Sequence, residues 1–148
     1  MQKQLFETPQ TTSTSDDYYT PAWLFDQMGV QFDLDPAHPP FATNVPCKTY
    51  YTQKENGLVE PWFGNVFMNP PFSKPAPWID KFVKHRNGIA LLVVSKSRRM
   101  NDLWENADGL VLLPSTLKFD QGTIFIATML IAYGQHNVKA ISNVGRVR

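Results

Sequence analysis

The chain has 148 residues, of which 43% are hydrophobic and 13% aromatic, and its net charge is +1. That length suits one domain with an ordinary core, and the composition reads as soluble and globular rather than disordered or membrane-spanning. The near-balance of charge excludes binding nucleic acid through bulk basicity, so any such contact must use a local patch.

Residues 1–17 are rich in Gln, Thr and Ser and read as a flexible N-terminal arm, leaving 18–148 as a single domain. No signal peptide is expected, because no apolar run follows the first four residues. Thr20 is a candidate cap and Pro21 fits the first position of a helix over 22–28, which Gly29 ends. A short strand follows at residues 32–35, stopped by Pro36. Residues 36–49 carry four prolines and read as loop. Tyr50 and Tyr51 form a short strand or a packed aromatic pair, and Asn56-Gly57 marks a turn.

Residues 65–68 read as a buried strand that runs into Asn69-Pro70-Pro71-Phe72, where the prolines must end sheet pairing. Residues 78–85 have helical spacing and Gly88 closes them. Residues 89–94 are the continuous apolar run of a central strand covered on both faces. A helix is predicted over 101–106 with Leu103 and Trp104 inward. Strands follow at 110–113 and, as one long element, at 124–133. The tail from residue 137 onward reads as one short edge strand. The alternation of strands and helices predicts an α/β fold with helices on the sheet faces.

The sharpest chemical signal is the tetrad Asn69, Pro70, Pro71, Phe72 at a strand end, because ligands of open α/β sheets bind beyond the carboxyl ends of strands. Two prolines stiffen the backbone and remove two N–H donors, leaving carbonyls to accept hydrogen bonds. Asn69 adds a side-chain acceptor and Phe72 a flat apolar face. Together they suit a planar ligand bearing an NH2 group.

The tetrad resembles the catalytic motif of amino-group methyltransferases that use S-adenosylmethionine. The ordered set around it is more specific: Tyr19-Thr20-Pro21, then Phe32-Asp33-Leu34-Asp35-Pro36-Ala37, Tyr50-Tyr51, Asn56-Gly57-Leu58, Trp62, the tetrad with Ser73, Trp78, and Leu117-Lys118-Phe119. This arrangement resembles the phage-type Dam family of DNA adenine-N6 methyltransferases over most of the chain, roughly residues 18–134. The resemblance implies a compact Rossmann-like methyltransferase sheet. It implies S-adenosylmethionine as cofactor and adenine in DNA as target, flipped out of the duplex. Asn69 and the Pro70 carbonyl would hold N6 while Phe72 stacks on the base.

The resemblance further implies cofactor contacts from Tyr19, Thr20 and Pro21, and from Asp33, Asp35, Pro36 and Ala37, with one of the two aspartates expected to face away. An acidic side chain there can accept from cofactor hydroxyls or pair with the positive amino group. Asn56 stands where relatives often carry an acidic residue, and Asn69 would also adjoin the cofactor. No GxGxxG loop is present, which departs from larger methyltransferases.

Lys74, Lys96, Arg98 and Arg99 lie just past strand ends and could form the local patch for DNA phosphates. His38, His85 and His136 are widely separated, so no metal site is expected. Target readout would fall to loops at 36–49 and 98–105 or to a second subunit of a homodimer. A cytoplasmic location in a bacterial host and a phage or prophage origin, with a role in restriction-modification, accord with the family. Two other readings stay open: a methyltransferase for RNA or a protein amide, and a catalytically silent nucleic-acid-binding module of the same fold.

Overall fold

A computed structural model of the chain describes residues 20–41, 43–113, 117–119, 122–124 and 127–148. The N-terminal arm and Tyr19 lie outside the described residues. Helix α1 spans Ala22–Met28 and ends at Gly29, whose backbone is left-handed. Strands β1 (Phe32–Asp35), β2 (Cys47–Tyr50) and β3 (Val66–Met68) follow, then α2 (Ala76–His85) and β4 (Gly88–Val93). Helix α3 (Arg98–Asn106), β5 (Gly109–Leu112), β6 (Leu117–Phe119), β7 (Gly122–Ile124), β8 (Thr128–Tyr133) and α4 (Gln135–Ser142) complete the order.

Six strands form one sheet in the order β2-β1-β3-β4-β8-β5. The first four are mutually parallel, and β8 runs antiparallel to both β4 and β5. The pair β6–β7 is a separate antiparallel ribbon. This is the expected α/β architecture, a minimal Rossmann-like sheet with helices on both faces. On one face Leu24, Phe25 and Met28 of α1 and Ala140 and Ile141 of α4 pack with Phe32 and Phe67. The rings of Phe25 and Phe67 meet edge-on at 4.9 Å, a favoured aromatic geometry. On the other face Ile79 and Phe82 of α2 and Met100 and Leu103 of α3 cover Val66, Met68, Ala90 and Leu92. Strands β3 and β8 are buried along their whole length, as strands covered on both faces are.

Several predicted elements differ. The tail is a helix, α4, because Ala140 and Ile141 find an apolar surface to bury against. Only at the last residue does the chain join the sheet edge, where Arg148 and Leu110 exchange two backbone hydrogen bonds. The long strand predicted over 124–133 is two elements, with Ile124 in the ribbon and Thr128–Tyr133 in the sheet. Part of the predicted 36–49 loop is strand β2, an edge strand with little burial and hence no apolar signal. Gly88 opens β4 rather than closing α2, and Arg86 takes the left-handed cap at φ 58°. Trp104 is 42% exposed rather than inward, and the Arg148 guanidinium covers its ring at 4.3 Å.

Candidate active site

The four parallel strands end on one edge of the sheet. From β1 the chain steps outward to β2, then returns to the other side of β1 as β3. Strand order therefore reverses between β1 and β3, and such a reversal opens a crevice beyond the carboxyl ends of the two strands. Asp35 is the last residue of β1 and Asn69 the first after β3. The two most informative motifs of the sequence thus stand at the ends of neighbouring parallel strands, although they are 34 positions apart.

Thr20 joins them from the start of the described chain. It does not cap α1; Pro21 occupies the cap position and no side chain caps the helix. The Thr20 hydroxyl instead accepts a hydrogen bond from the Asn69 side-chain amide at 3.1 Å. Thr20 is 3% exposed, so this bond is shielded from water.

Asp35 and Asp33 do diverge, but not by simple alternation, which would place residues two apart on one face. The Asn65 carbonyl accepts from both Asp33 N (2.7 Å) and Leu34 N (3.3 Å), a bulge-like doubling that breaks the period of two. The Asp33 carboxylate accepts from Asn65 N at 2.8 Å and pairs with Lys48 at 3.7 Å. Gly64 makes room for it; a Cβ there would lie 2.2 Å from Asp33 Oδ2, and its φ of 65° favours glycine as well. Asp33 is thereby taken up in joining β1 to the start of β3. Asp35 is 3% exposed and accepts from Ala37 N at 3.1 Å. Burial pushes its pKa up to about 7, against the smaller opposing effect of that hydrogen bond. A buried carboxylate at a crevice mouth is suited to a cationic or hydroxyl-bearing partner.

Beyond β3 and β4 lies a pocket of about 390 Å3, part of it open to solvent, lined by Pro70, Phe72, Pro75, Ile79, Leu92, Val93 and Ser95. Its walls are mostly apolar, as those of small-molecule sites generally are. Pro70 and Phe72 bring the tetrad to this pocket, while Phe72 also packs against the α1–α4 side of the core. Pro71 is half-buried beside them.

Other candidates are distributed differently. Asn56 is exposed with φ 68°, and its Oδ1 accepts from Leu58 N at 3.1 Å, so it makes the turn. Gly57 beside it presses on the Pro36 carbonyl; a Cβ would lie 1.9 Å from that oxygen. The turn at Asn56 and the Pro36–Ala37 turn are therefore in contact. Lys74, Lys96 and Arg98 are exposed near the same sheet edge. Arg99 is not equivalent to them: it forms a two-point ion pair with Asp80 at 2.8 and 2.9 Å, which holds the Asp80 carboxyl below its usual range. Among the described residues, no three His, Cys, Asp or Glu side chains cluster as a metal site would. Likewise no described helix is long and apolar enough to cross a membrane.

Sequence reasoning missed Lys81. It lies on α2 and donates to three backbone carbonyls of the 57–60 loop. Backbone carbonyls carry no residue-type signal, so no pattern could have found it.

Comparison with known proteins completes this description. The model of the family described as DNA N-6-adenine-methyltransferase (Dam) matches residues 7–128. A DNA N-6-adenine-methyltransferase of Haemophilus phage HP1 (strain HP1c1) is 32% identical over 90 residues. That match covers 55% of this chain and 51% of the phage protein, so the chain spans about half the length of the curated relative it matches. No solved structure matches the chain.

Proposed function

The chain belongs to the DNA N-6-adenine-methyltransferase (Dam) family, and on that premise we propose that it methylates the N6 amino group of adenine in DNA, using S-adenosylmethionine. The observation that carries the reading is that Asn69-Pro70-Pro71-Phe72 and buried Asp35 stand at the ends of adjacent parallel strands, where strand order reverses. An adenine stacked in duplex DNA cannot reach this crevice, so the target base must be flipped out.

Asn69 and the Pro70 carbonyl accept hydrogen bonds from the N6 hydrogens and turn the nitrogen lone pair out of the ring plane. Phe72 stacks on the base, and the mostly apolar pocket lies beside it. The S-adenosylmethionine sulfonium supplies an electrophilic methyl group when bound. The acceptors at Asn69 and Pro70 also stabilise the positive charge that builds on N6 during an in-line displacement. No general base is needed before transfer. The Thr20 hydroxyl holds the Asn69 amide in place.

The residues fit the cofactor. The buried Asp35 carboxylate would accept from its hydroxyls or pair with its amino group, and the neighbouring Pro36–Ala37 turn would pack beside it. Thr20 and Pro21 border the same crevice. Asn56 contributes through the turn it makes, and Asp33 by holding β1 against β3. Residues Lys74, Lys96 and Arg98 would contact DNA phosphates. Arg98 and Arg99 stand in the first turn of α3, where the helix dipole is already positive. Cations there do not stabilise the helix, but they add to an anion-attracting potential at its N-terminus. The proposed setting is the cytoplasm of a bacterial cell that carries the phage or prophage.

The test is methyl transfer from labelled S-adenosylmethionine to unmethylated DNA, RNA and protein in parallel, with nucleoside analysis of the product. N6-methyladenine in DNA is the expected product. Transfer to RNA or protein alone would reassign the substrate. No transfer from folded, cofactor-binding protein would make the chain a silent module of this fold.

A further inference from the structure

The ammonium of Lys81 is surrounded in a way that a surface lysine on a helix is not. Its nitrogen lies 3.1 Å from Gly57 O, 3.1 Å from Leu58 O and 2.6 Å from Glu60 O. A lysine has three N–H donors, and these three carbonyls use them all. The Trp62 ring stands 5.4 Å away, within cation–π reach, and the Trp62 indole N–H donates to the same Gly57 carbonyl at 2.7 Å. Glu60 is the charged neighbour facing the ammonium. One side chain thus gathers a whole loop onto α2.

That loop is pressed against the cofactor turn. Gly57 is buried, and its α-carbon approaches the Pro36 carbonyl so closely that a Cβ would lie 1.9 Å from the oxygen and 3.0 Å from the Trp78 ring. Pro36 directly follows Asp35. Helix α2 in turn follows the Asn69–Phe72 tetrad, and its residue Ile79 lines the pocket. Lys81 therefore stands between the element that follows the base-holding motif and the loop that backs the Asp35–Ala37 turn.

We propose that Lys81 is a positioning residue for the cofactor: by holding the carbonyls of residues 57, 58 and 60 it fixes this loop behind the Pro36–Ala37 turn, and so fixes Asp35. The proposal rests on the methyltransferase reading. Lys81 touches neither substrate nor cofactor in it. Removing the ammonium leaves the three carbonyls without their charged donor and frees the loop to move away from Pro36. Cofactor affinity should then fall, while the chemistry at Asn69 proceeds once cofactor is bound.

The experiment measures S-adenosylhomocysteine binding by calorimetry, and kcat and KM for cofactor and for DNA, in wild type, K81M, K81Q and K81R. K81M and K81Q should each raise the cofactor Kd and KM by about tenfold or more, the scale of losing hydrogen bonds to a charged group. Their kcat at saturating cofactor should stay within about twofold, and the KM for DNA should not follow the cofactor KM. K81R keeps charge and donors and should recover part of the loss, though its planar fork cannot converge on three carbonyls as an ammonium does. Far-UV circular dichroism checks each fold; if K81M is unfolded, K81Q and K81R decide alone. Unchanged cofactor Kd in the folded neutral variants, or an equal loss in kcat and in the KM for DNA, overturns the proposal. Wild-type protein that binds neither S-adenosylmethionine nor S-adenosylhomocysteine removes the underlying reading instead.

Discussion

The side-chain amide of Asn69 donates a hydrogen bond to the Thr20 hydroxyl at 3.1 Å, across 49 residues of sequence. The bond ties the residue after β3 to the segment that enters α1. It sets the plane of the amide before any ligand arrives, which is the preorganisation that a positioning mechanism needs.

Asn69→Ala should abolish methyl transfer, with a loss of about 100-fold or more in kcat, the scale of losing one aligned acceptor or donor at a reacting centre. Folding and cofactor binding should be largely retained, because Asn69 is only partly buried. Single-turnover transfer and calorimetric titration of the same preparation check both halves. Near-normal turnover would remove the central claim.

Thr20→Val keeps shape and removes the hydroxyl. The Asn69 amide then loses this hydrogen bond, and kcat should fall by roughly tenfold, the scale of one buried hydrogen bond. Thr20→Ser should stay near wild type. Equal turnover in the Val and Ser variants would show that this bond does not orient Asn69.

Asp35 has its pKa pushed up to about 7 by burial. An acid whose folded pKa lies above its unfolded value binds more protons when folded, so its contribution to stability is fully present below about pH 4 and is lost as pH rises through about 7. Asp35→Asn should therefore flatten the loss of stability between about pH 4 and about pH 7, the interval between the unfolded and folded pKa values, read by urea unfolding at several pH values. Cofactor binding has the opposite sign. Hydroxyl donors and a positive amino group both favour the carboxylate, so affinity should strengthen as pH rises through about 7, with a proton released on binding. Calorimetry in buffers of different ionisation enthalpy measures that proton directly.

For DNA, the structure divides a patch that the sequence treats as one. Among the described residues Lys96 and Arg98 make no ion pair, whereas Arg99 is engaged by Asp80. Lys96→Ala with Arg98→Ala should weaken binding and reduce the salt slope by about one for each phosphate that is no longer neutralised. Arg99→Ala alone should do much less. Fluorescence anisotropy across a salt series separates the cases; equal effects of all three would restore the undivided patch.

Gly57→Ala forces a methyl group against the Pro36 carbonyl, with a Cβ only 1.9 Å from the oxygen. Backbone cannot yield as a flexible side chain would, so the loop must move. A destabilisation of roughly 2 kcal/mol or more is expected by urea unfolding, the range for strain at a packed backbone position. Wild-type stability would mean that the loop and the Pro36 turn are not held together.

The features legible in the sequence are local ones. The strand at Phe32–Asp35 lies where its alternation and the following Pro36 put it. The tetrad follows its buried strand because two prolines cannot continue a ladder. The apolar run of β4 is central because only a strand covered on both faces is apolar throughout. From these came the α/β class and the family resemblance, and with them the candidate site residues.

Partners distant in sequence were settled by packing instead. Thr20 reads locally as a helix cap, yet its hydroxyl meets Asn69. Asp33 and Asp35 look equivalent, yet a doubled acceptor at Asn65 sends one to Lys48 and buries the other at the crevice. Arg99 resembles its neighbours until α3 packs beside α2 and brings Asp80 to it. Helix α4 is eight residues long, too short to be stable alone, and it forms because Ala140 and Ile141 are buried against α1 and the sheet. Lys81 is silent in the sequence because its partners are carbonyls that every residue carries. Periodicity and turn chemistry act over a few residues, whereas a side chain's hydrogen-bond partner is selected only after packing has brought distant segments within about 3 Å.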